Sequence, residues 1–292
     1  MKWSERLGYR PDEKVVIIHA DDAGITSGTN KAIQDLFKKN ILQSCSVFAN
    51  SSATDHFLDI HDSNWDIGLH FNFRPVLDKK YHWGNFINLL EDKTSKLFHL
   101  ISSSRFADIF PFYGDSLPWL TGTQVRKELE SQWNSLTEQG LKLSHIDCHN
   151  GTLYFSKRLV RVYLNLLSKK QAAGMVLDPT PENIKSFPLL RRLISLYDEF
   201  PNFFRLDKLF ILTDVSSYSE KLQALQDIIA SINPGLTEII VHPSSVIEES
   251  ENKFWDYKAL LEIFGNNNRG LVFTNWGELN MRFNGYGKNT SV

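Results

Sequence analysis

The sequence predicts an α/β protein, a (β/α) barrel-like fold, regular or distorted, with seven or eight parallel strands. Three observations lead there. Short apolar, β-branched runs recur at 14–20, 44–49, 65–69, 143–148, 172–177, 207–213, 237–241 and 270–274, and several are continuous rather than alternating, as parallel strands covered on both faces are. Amphipathic helical segments fall between many of these runs. Finally, the acidic pair Asp21–Asp22 and three of the nine histidines, His70, His149 and His242, each stand just at the end of such a run. Side chains at the carboxyl ends of neighbouring parallel strands emerge at one rim, where α/β folds place their chemistry.

Taken in chain order, VVIIHADD reads as the first strand, and the helix after it covers 28–39, with Ile33, Leu36 and Phe37 on one stripe behind Thr26 or Ser27 as N-cap. The runs at 44–49 and 65–69 supply the second and third strands. A long insertion, 71–122, follows the third and is rich in rings, among them Phe73, Tyr81, Trp83, Phe98 and Trp119. Loops of that length in compact domains serve as lids or binding loops; these rings either stack on sugar faces or form a small satellite core. The next helix, 123–139, carries Val125, Leu129, Trp133 and Leu136 on one face and ends at Gly140. Further helices are expected at 156–169, 217–231 and 253–264 between the later strands. With no internal repeat, low-complexity tract or Gly/Ser linker, 1–292 reads as one barrel-like domain.

Composition narrows the function. The 292 residues are 42% hydrophobic and 23% charged with a formal net charge of -2, enough for a full core and without the basic stripe of a nucleic-acid binder. The segment MKWSERLGYRPDEK lacks the apolar centre of a secretory signal, and no run approaches the roughly 20 residues that cross a bilayer. The expectation is a cytoplasmic protein without a membrane partner. Two cysteines, Cys45 and Cys148, provide no disulfide framework; Cys148, beside His149, reads as a soft metal ligand or, more simply, as a small buried apolar residue. The GxxxxGK[ST], GxGxxG, GxSxG and HExxH patterns are all absent, which removes the anchors of phosphate-loop, dinucleotide, serine-hydrolase and zincin chemistry.

What remains is a set of carboxylates and imidazoles. Adjacent strand residues point to opposite faces, so Asp21 and Asp22 can share one side only if the backbone turns, which Ala23-Gly24 is placed to provide. One carboxylate can then ligate a cation while the other acts as a base; alternatively Asp22 caps the next turn and Asp21 is solvated. One carboxylate with two imidazoles, His70 and His149, makes a three-ligand catalytic metal site with positions left open, and imidazoles suit borderline cations such as zinc better than magnesium. In HIDCH, His145, Asp147 and His149 share a strand face by the period of two. Asp147 is thus placed to orient a ligand imidazole, and His145 is a supporting group or an alternative ligand. His242, followed by Pro243, suits a proton donor.

HADDAGIT with Asn30 downstream, then GLHFNF, SHIDCHNG and EIIVHP, in that order, resemble the YdjC-type carbohydrate deacetylases, a family that includes chitooligosaccharide deacetylase; the resemblance runs from about residue 15 to 245. It implies a (β/α)-barrel-like fold and a divalent-metal hydrolase, acting on linear amide C–N bonds, that removes acetyl groups from N-acetylated carbohydrates. Carried over by position, it implies Asp22, His70 and His149 as metal ligands, Asp21 as general base and His242 as general acid. Zinc or magnesium is the implied cofactor, and a homodimer the implied assembly. The chain departs from the family pattern at Ala23, where Phe or Leu is usual, at Asn150-Gly151-Thr152, where further histidines are usual, and in MVLDPTPEN, which has no counterpart to a common arginine. These positions spare the proposed site residues and fall near the substrate. Two other readings stand beside this one: an O-acetyl ester or non-sugar amide hydrolase using the same centre, and a carbohydrate-binding protein without catalysis. An isomerase or aldolase is disfavoured because no lysine nucleophile or acidic ligand cluster stands out.

Overall fold

Strand β1 (Lys14–Ala23) is buried along its whole length except at Lys14, which requires partners on both edges and cover on both faces. The computed structural model describes residues 1–72, 122–265 and 270–286; apart from its ends, the aromatic insertion at 71–122, with its expected stacking rings, lies outside them. A short α1 (Trp3–Arg6) precedes β1, and the chain continues through α2 (Ser27–Lys38), β2 (Ser44–Val47), α3 (Thr54–Ile60) and β3 (Ile67–Phe71). After the insertion come α4 (Gly122–Glu138), β4 (Leu143–Cys148), a 3₁₀ segment (His149–Phe155), α5 (Lys157–Lys170), β5 (Ala173–Gly174), α6 (Pro181–Ser186) and α7 (Leu190–Glu199). The last third holds β6 (Lys208–Ile211), α8 (Tyr218–Ser231), β7 (Gly235–Val241), α9 (Glu251–Phe264), β8 (Val272–Phe273) and α10 (Trp276–Tyr286).

All strand pairs are parallel and run in the order β5-β4-β3-β2-β1-β7-β6. The first half of β1 also pairs with β8 through Val15 and Val16, whereas β2 meets β1 only from His19 onward. A parallel bridge between Leu177 and Leu206 links the segments just after β5 and just before β6, the two ends of that order. The sheet is therefore a curled, distorted barrel with helices outside, the fold the sequence predicts.

Local chemistry explains the boundaries. Thr26, of the two N-cap candidates for α2, accepts the Thr29 N–H at 3.1 Å, and Gly140, at φ 93°, follows the end of α4. Val15, Val16, Ile17 and Ile18 are fully buried, each contributing roughly 1.5–3 kcal/mol by leaving water. Gly68 on β3 is required by its neighbour: a Cβ there would lie 2.2 Å from the His145 ring on β4.

The expected helices are present with ends shifted by one or two residues, but α1, α3, α6, α7 and α10 were not anticipated. Six-residue α6, capped by Thr180 and opened by Pro181, is too short to show a helical period. α7 does carry one, with Leu190, Leu193, Leu196 and Tyr197 buried. Among the described residues, no helix is long and apolar enough to cross a membrane.

Candidate metal centre

At the carboxyl end of β1 the pairing with β2 slips, Ala20 facing Cys45 and Ala23 facing Val47. Asp21 and Asp22 together oppose a single residue, Ser46, in a β-bulge, and Asp22 itself takes a left-handed backbone at φ 67°. The turn that brings both carboxylates to one side thus lies at Asp22, one residue earlier than Ala23-Gly24. Gly24, at φ 87°, completes the exit. Asn30 fixes it, accepting the Gly24 N–H at 2.7 Å and donating to the Ala53 carbonyl at 2.9 Å.

Three side chains meet around one point. Asp22 Oδ1 lies 3.4 Å from His70 Nε2 and 3.2 Å from His149 Nδ1, and the two ring nitrogens are 3.2 Å apart. His70 comes from β3, and His149 opens the 3₁₀ segment that carries left-handed Asn150 and Gly151. Behind the triangle, Asp147 Oδ1 accepts from His70 Nδ1 at 2.6 Å, and the Ser46 hydroxyl lies 3.0 Å from the same nitrogen. With Nδ1 committed to a carboxylate, His70 presents Nε2 forward, the orientation that supporting carboxylates impose on metal-ligating imidazoles. Asp22 Oδ1 is buried and makes no hydrogen bond. An orphaned carboxylate oxygen facing two ring nitrogens is a donor set suited to a divalent cation, so these residues fit such an ion.

The remaining predicted residues surround this triangle. Asp21 Oδ1 is 3.2 Å from His19 Nε2, and its Oδ2 is 3.8 Å from His242 Nε2. The His242 side chain is 32% exposed, and its backbone N–H donates to Asp256 Oδ2 at 2.9 Å. His145 does not join the triangle. It turns inward beside Ser144, 2.7 Å away, stacks on Trp276, and groups with His19 and Asp147 in a second buried cluster. The shared strand face holds for His145 and Asp147, but His149 leaves the strand at the 3₁₀ turn, and Asp147 supports His70 in its place. Cys148 is buried, with its sulfur 3.0 Å from the Thr152 hydroxyl and accepting the Leu153 N–H. Burial pushes its thiol up to about 11, and it belongs to no candidate ligand cluster among the described residues.

Two functional neighbours were not anticipated. His19 joins Asp21 to Asp147, lying 2.9 Å from Asp147 Oδ2; the alternation of β1, which puts residues 19 and 21 on one face, is the signal for it. Lys253, from the first turn of α9, puts its ammonium 2.7 Å from Asp22 Oδ2. A lysine therefore does stand at this centre, although nothing in SENKFW marks it.

The electrostatics follow from burial and charge. Burial alone would raise the Asp22 carboxyl, but the His149 and His70 imidazoles beside it and the charge of Lys253 hold it well below the usual range. Burial disfavours the His19 imidazolium, yet the hydrogen bonds of Asp147 and Asp21, with the charges of Asp147 and Glu238, outweigh it and raise its pKa to about 10. Burial pushes Glu238, behind His19, up to about 8. Between pH 6.5 and about 10 the unfolded chain has lost the proton that folded His19 keeps, so this stabilisation is complete below pH 6.5 and fades as pH rises toward 10. Glu238 acts in the same direction up to about 8. Chelator-treated protein is expected to melt at progressively lower temperature from pH 6.5 to 10, and His19→Gln to flatten that slope. A variant profile parallel to the parent's would remove His19 from this role.

A parallel α/β barrel with an Asp-His-His triangle at its strand ends, backed by further carboxylates, defines a class of protein whose rim carries a donor set that could hold a divalent cation. Within that class, the chain belongs to the YdjC-like protein family, whose model matches residues 15–268. It is similar to a carbohydrate deacetylase of Thermoanaerobacter pseudethanolicus, 24% identical over 278 residues that cover 91% of this chain and 99% of that protein. A carbohydrate deacetylase of Listeria monocytogenes is 27% identical over 140 residues, 46% of this chain and 51% of that one. Among solved structures, one described as a cellobiose-phosphate cleavage protein of Enterococcus faecalis shares the fold with a TM-score of 0.61 at 20% identity, covering 91% of this chain and 99% of that one.

Proposed function

We propose that the chain is a metal-dependent hydrolase that removes acetyl groups from N-acetylated carbohydrates, with 1–292 forming one catalytic domain. Asp22, His70 and His149 serve as metal ligands, Asp21 as general base and His242 as general acid. The observation that carries this reading is the triangle of ligand atoms, whose sides are 3.2 to 3.4 Å. Two imidazoles and one carboxylate would suit a borderline cation such as zinc better than magnesium.

A bound ion would supply Lewis acidity toward the acetyl carbonyl and toward a water beside it. The protein's own groups do the rest. Asp21, held by His19 on one oxygen and facing His242 with the other, takes a proton from the attacking water as its oxygen bonds to the carbonyl carbon. The C–N bond then breaks, the amine nitrogen receives its proton from the His242 imidazolium, and acetate leaves. His242, a third exposed at the end of β7, can reach a leaving group on the solvent side, while its backbone is tethered to Asp256.

The test is acetate release from N-acetylated chitooligosaccharides after chelation and readdition of zinc, magnesium or cobalt, with O-acetylated oligosaccharides in parallel. Metal-restored release from the amide substrates is expected. Release from the esters alone would transfer the centre to ester hydrolysis, and sugar binding with no acetate from either would leave a carbohydrate-binding protein. His149→Ala is expected to lower bound metal at least tenfold, since it removes one of three protein ligands; undiminished metal content would overturn the ligand assignment. The homodimer implied by the family resemblance and the cytoplasmic location expected from the sequence are to be checked by light scattering and cell fractionation.

A further inference from the structure

The two oxygens of Asp22 have different surroundings. Oδ1 faces His70 and His149, while Oδ2 is held 2.7 Å from Lys253 Nζ. The lysine is delivered by a fixed backbone: its N–H meets the Ser250 Oγ cap of α9 at 3.4 Å, and its carbonyl accepts the Ser244 N–H at 2.9 Å. One turn further along α9, Asp256 grips the His242 N–H. The same helix thus addresses both the ligand carboxylate and the residue proposed as acid.

We infer that Lys253 is a positioning residue of the metal centre: by occupying Oδ2 it confines Asp22 to ligation through Oδ1 alone and cancels the one negative charge in the donor set. This rests on the reading of Asp22, His70 and His149 as ligands. An aspartate with both oxygens free can chelate an ion, and with two neutral imidazoles it offers a charge of -1. With the ammonium in place, the second oxygen is engaged and the set is neutral overall. Asp22 is only 4% exposed and Lys253 27%, so solvent and salt screen the pair less than they would two surface charges. The lysine therefore weakens ion binding while leaving more of the ion's charge to act on substrate. Loss of the fixed Asp22 rotamer works in the opposite direction, but a single ordered side chain counts for less than a full charge within a few ångströms at low exposure.

Cobalt(II) alone is the probe, added to the full chain after chelation, with affinity read by chelator competition and geometry by the visible spectrum. Lys253→Met is expected to bind cobalt about tenfold or more tightly, to show weaker visible bands as a second Asp22 oxygen raises the coordination number, and to release acetate more slowly when saturated. Lys253→Gln, which keeps a hydrogen-bond donor without charge, is expected to tighten binding too, and Lys253→Arg to retain the parent affinity. A merely structural lysine would loosen the site when removed. Equal or weaker cobalt binding by both neutral variants, with an unchanged spectrum, would overturn the inference while leaving the ligand assignment intact. Absence of cobalt binding in the parent protein would overturn the ligand assignment and, with it, the role given to Lys253.

Discussion

Asp21→Asn is expected to lower acetate release by about 10²- to 10⁴-fold while leaving bound metal at the parent level. The two halves of that expectation come from different oxygens. The carboxylate of Asp21 stands outside the triangle of ligand atoms, between His19 at 3.2 Å and His242 at 3.8 Å, so an isosteric amide removes proton acceptance without removing a ligand. Asp22→Asn is the informative contrast. There the substituted oxygen is the buried, orphaned Oδ1 that faces both imidazoles, and metal content is expected to fall together with turnover. Asp21→Asn with undiminished turnover would take the base role away from Asp21. Asp21→Asn that lost metal in proportion to activity would place Asp21 among the ligands, a arrangement its nearness to His70 and Asp147 makes geometrically open.

The contrast between the two aspartates also shows what sequence can carry. The barrel-like order of strands was legible because parallel strands buried on both faces leave continuous apolar runs, and each of the eight runs contains or overlaps a strand. The rim was legible because Asp21, Asp22, His70, His149 and His242 all close such runs. The geometry of the acidic pair was only half legible. That the backbone had to turn follows from alternation, but a left-handed Asp22 inside a bulge depends on how β2 pairs with β1, which is information held 22 or more residues away. His145 illustrates the limit of the period-of-two argument: it correctly joins His145 to Asp147, then fails at His149 because the strand ends one residue earlier. Lys253 was not legible at all. Its partner is 231 residues away, and a lysine in the first turn of a helix is ordinary until tertiary structure carries it to a buried carboxylate.

The second large effect lies behind His242, at an ion pair the proposed reaction never touches. Lys221→Met is expected to destabilise the fold by about 3–5 kcal/mol, a large part of the roughly 5–15 kcal/mol that holds a domain together. Lys221 Nζ lies 2.7 Å from Asp256 Oδ1 and donates to the Thr213 carbonyl at 2.7 Å, with the two charged side chains 1% and 2% exposed. Removing the ammonium strands a carboxylate inside the protein. Burial already raises the Asp256 carboxyl against the pull of Lys221, so without the lysine it protonates more readily and the loss should shrink as pH falls. Lys221→Met combined with Asp256→Asn should recover most of the stability, because the amide oxygen can still accept the His242 N–H that Asp256 Oδ2 accepts at 2.9 Å. The single variant should also slow turnover without loss of metal, since Asp256, which holds the His242 N–H, is no longer fixed by Lys221. Chemical denaturation of the two variants decides the matter: a Lys221→Met protein within about 0.5 kcal/mol of the parent, or a double variant no more stable than the single, would mean that the pair is not what fixes the end of β7.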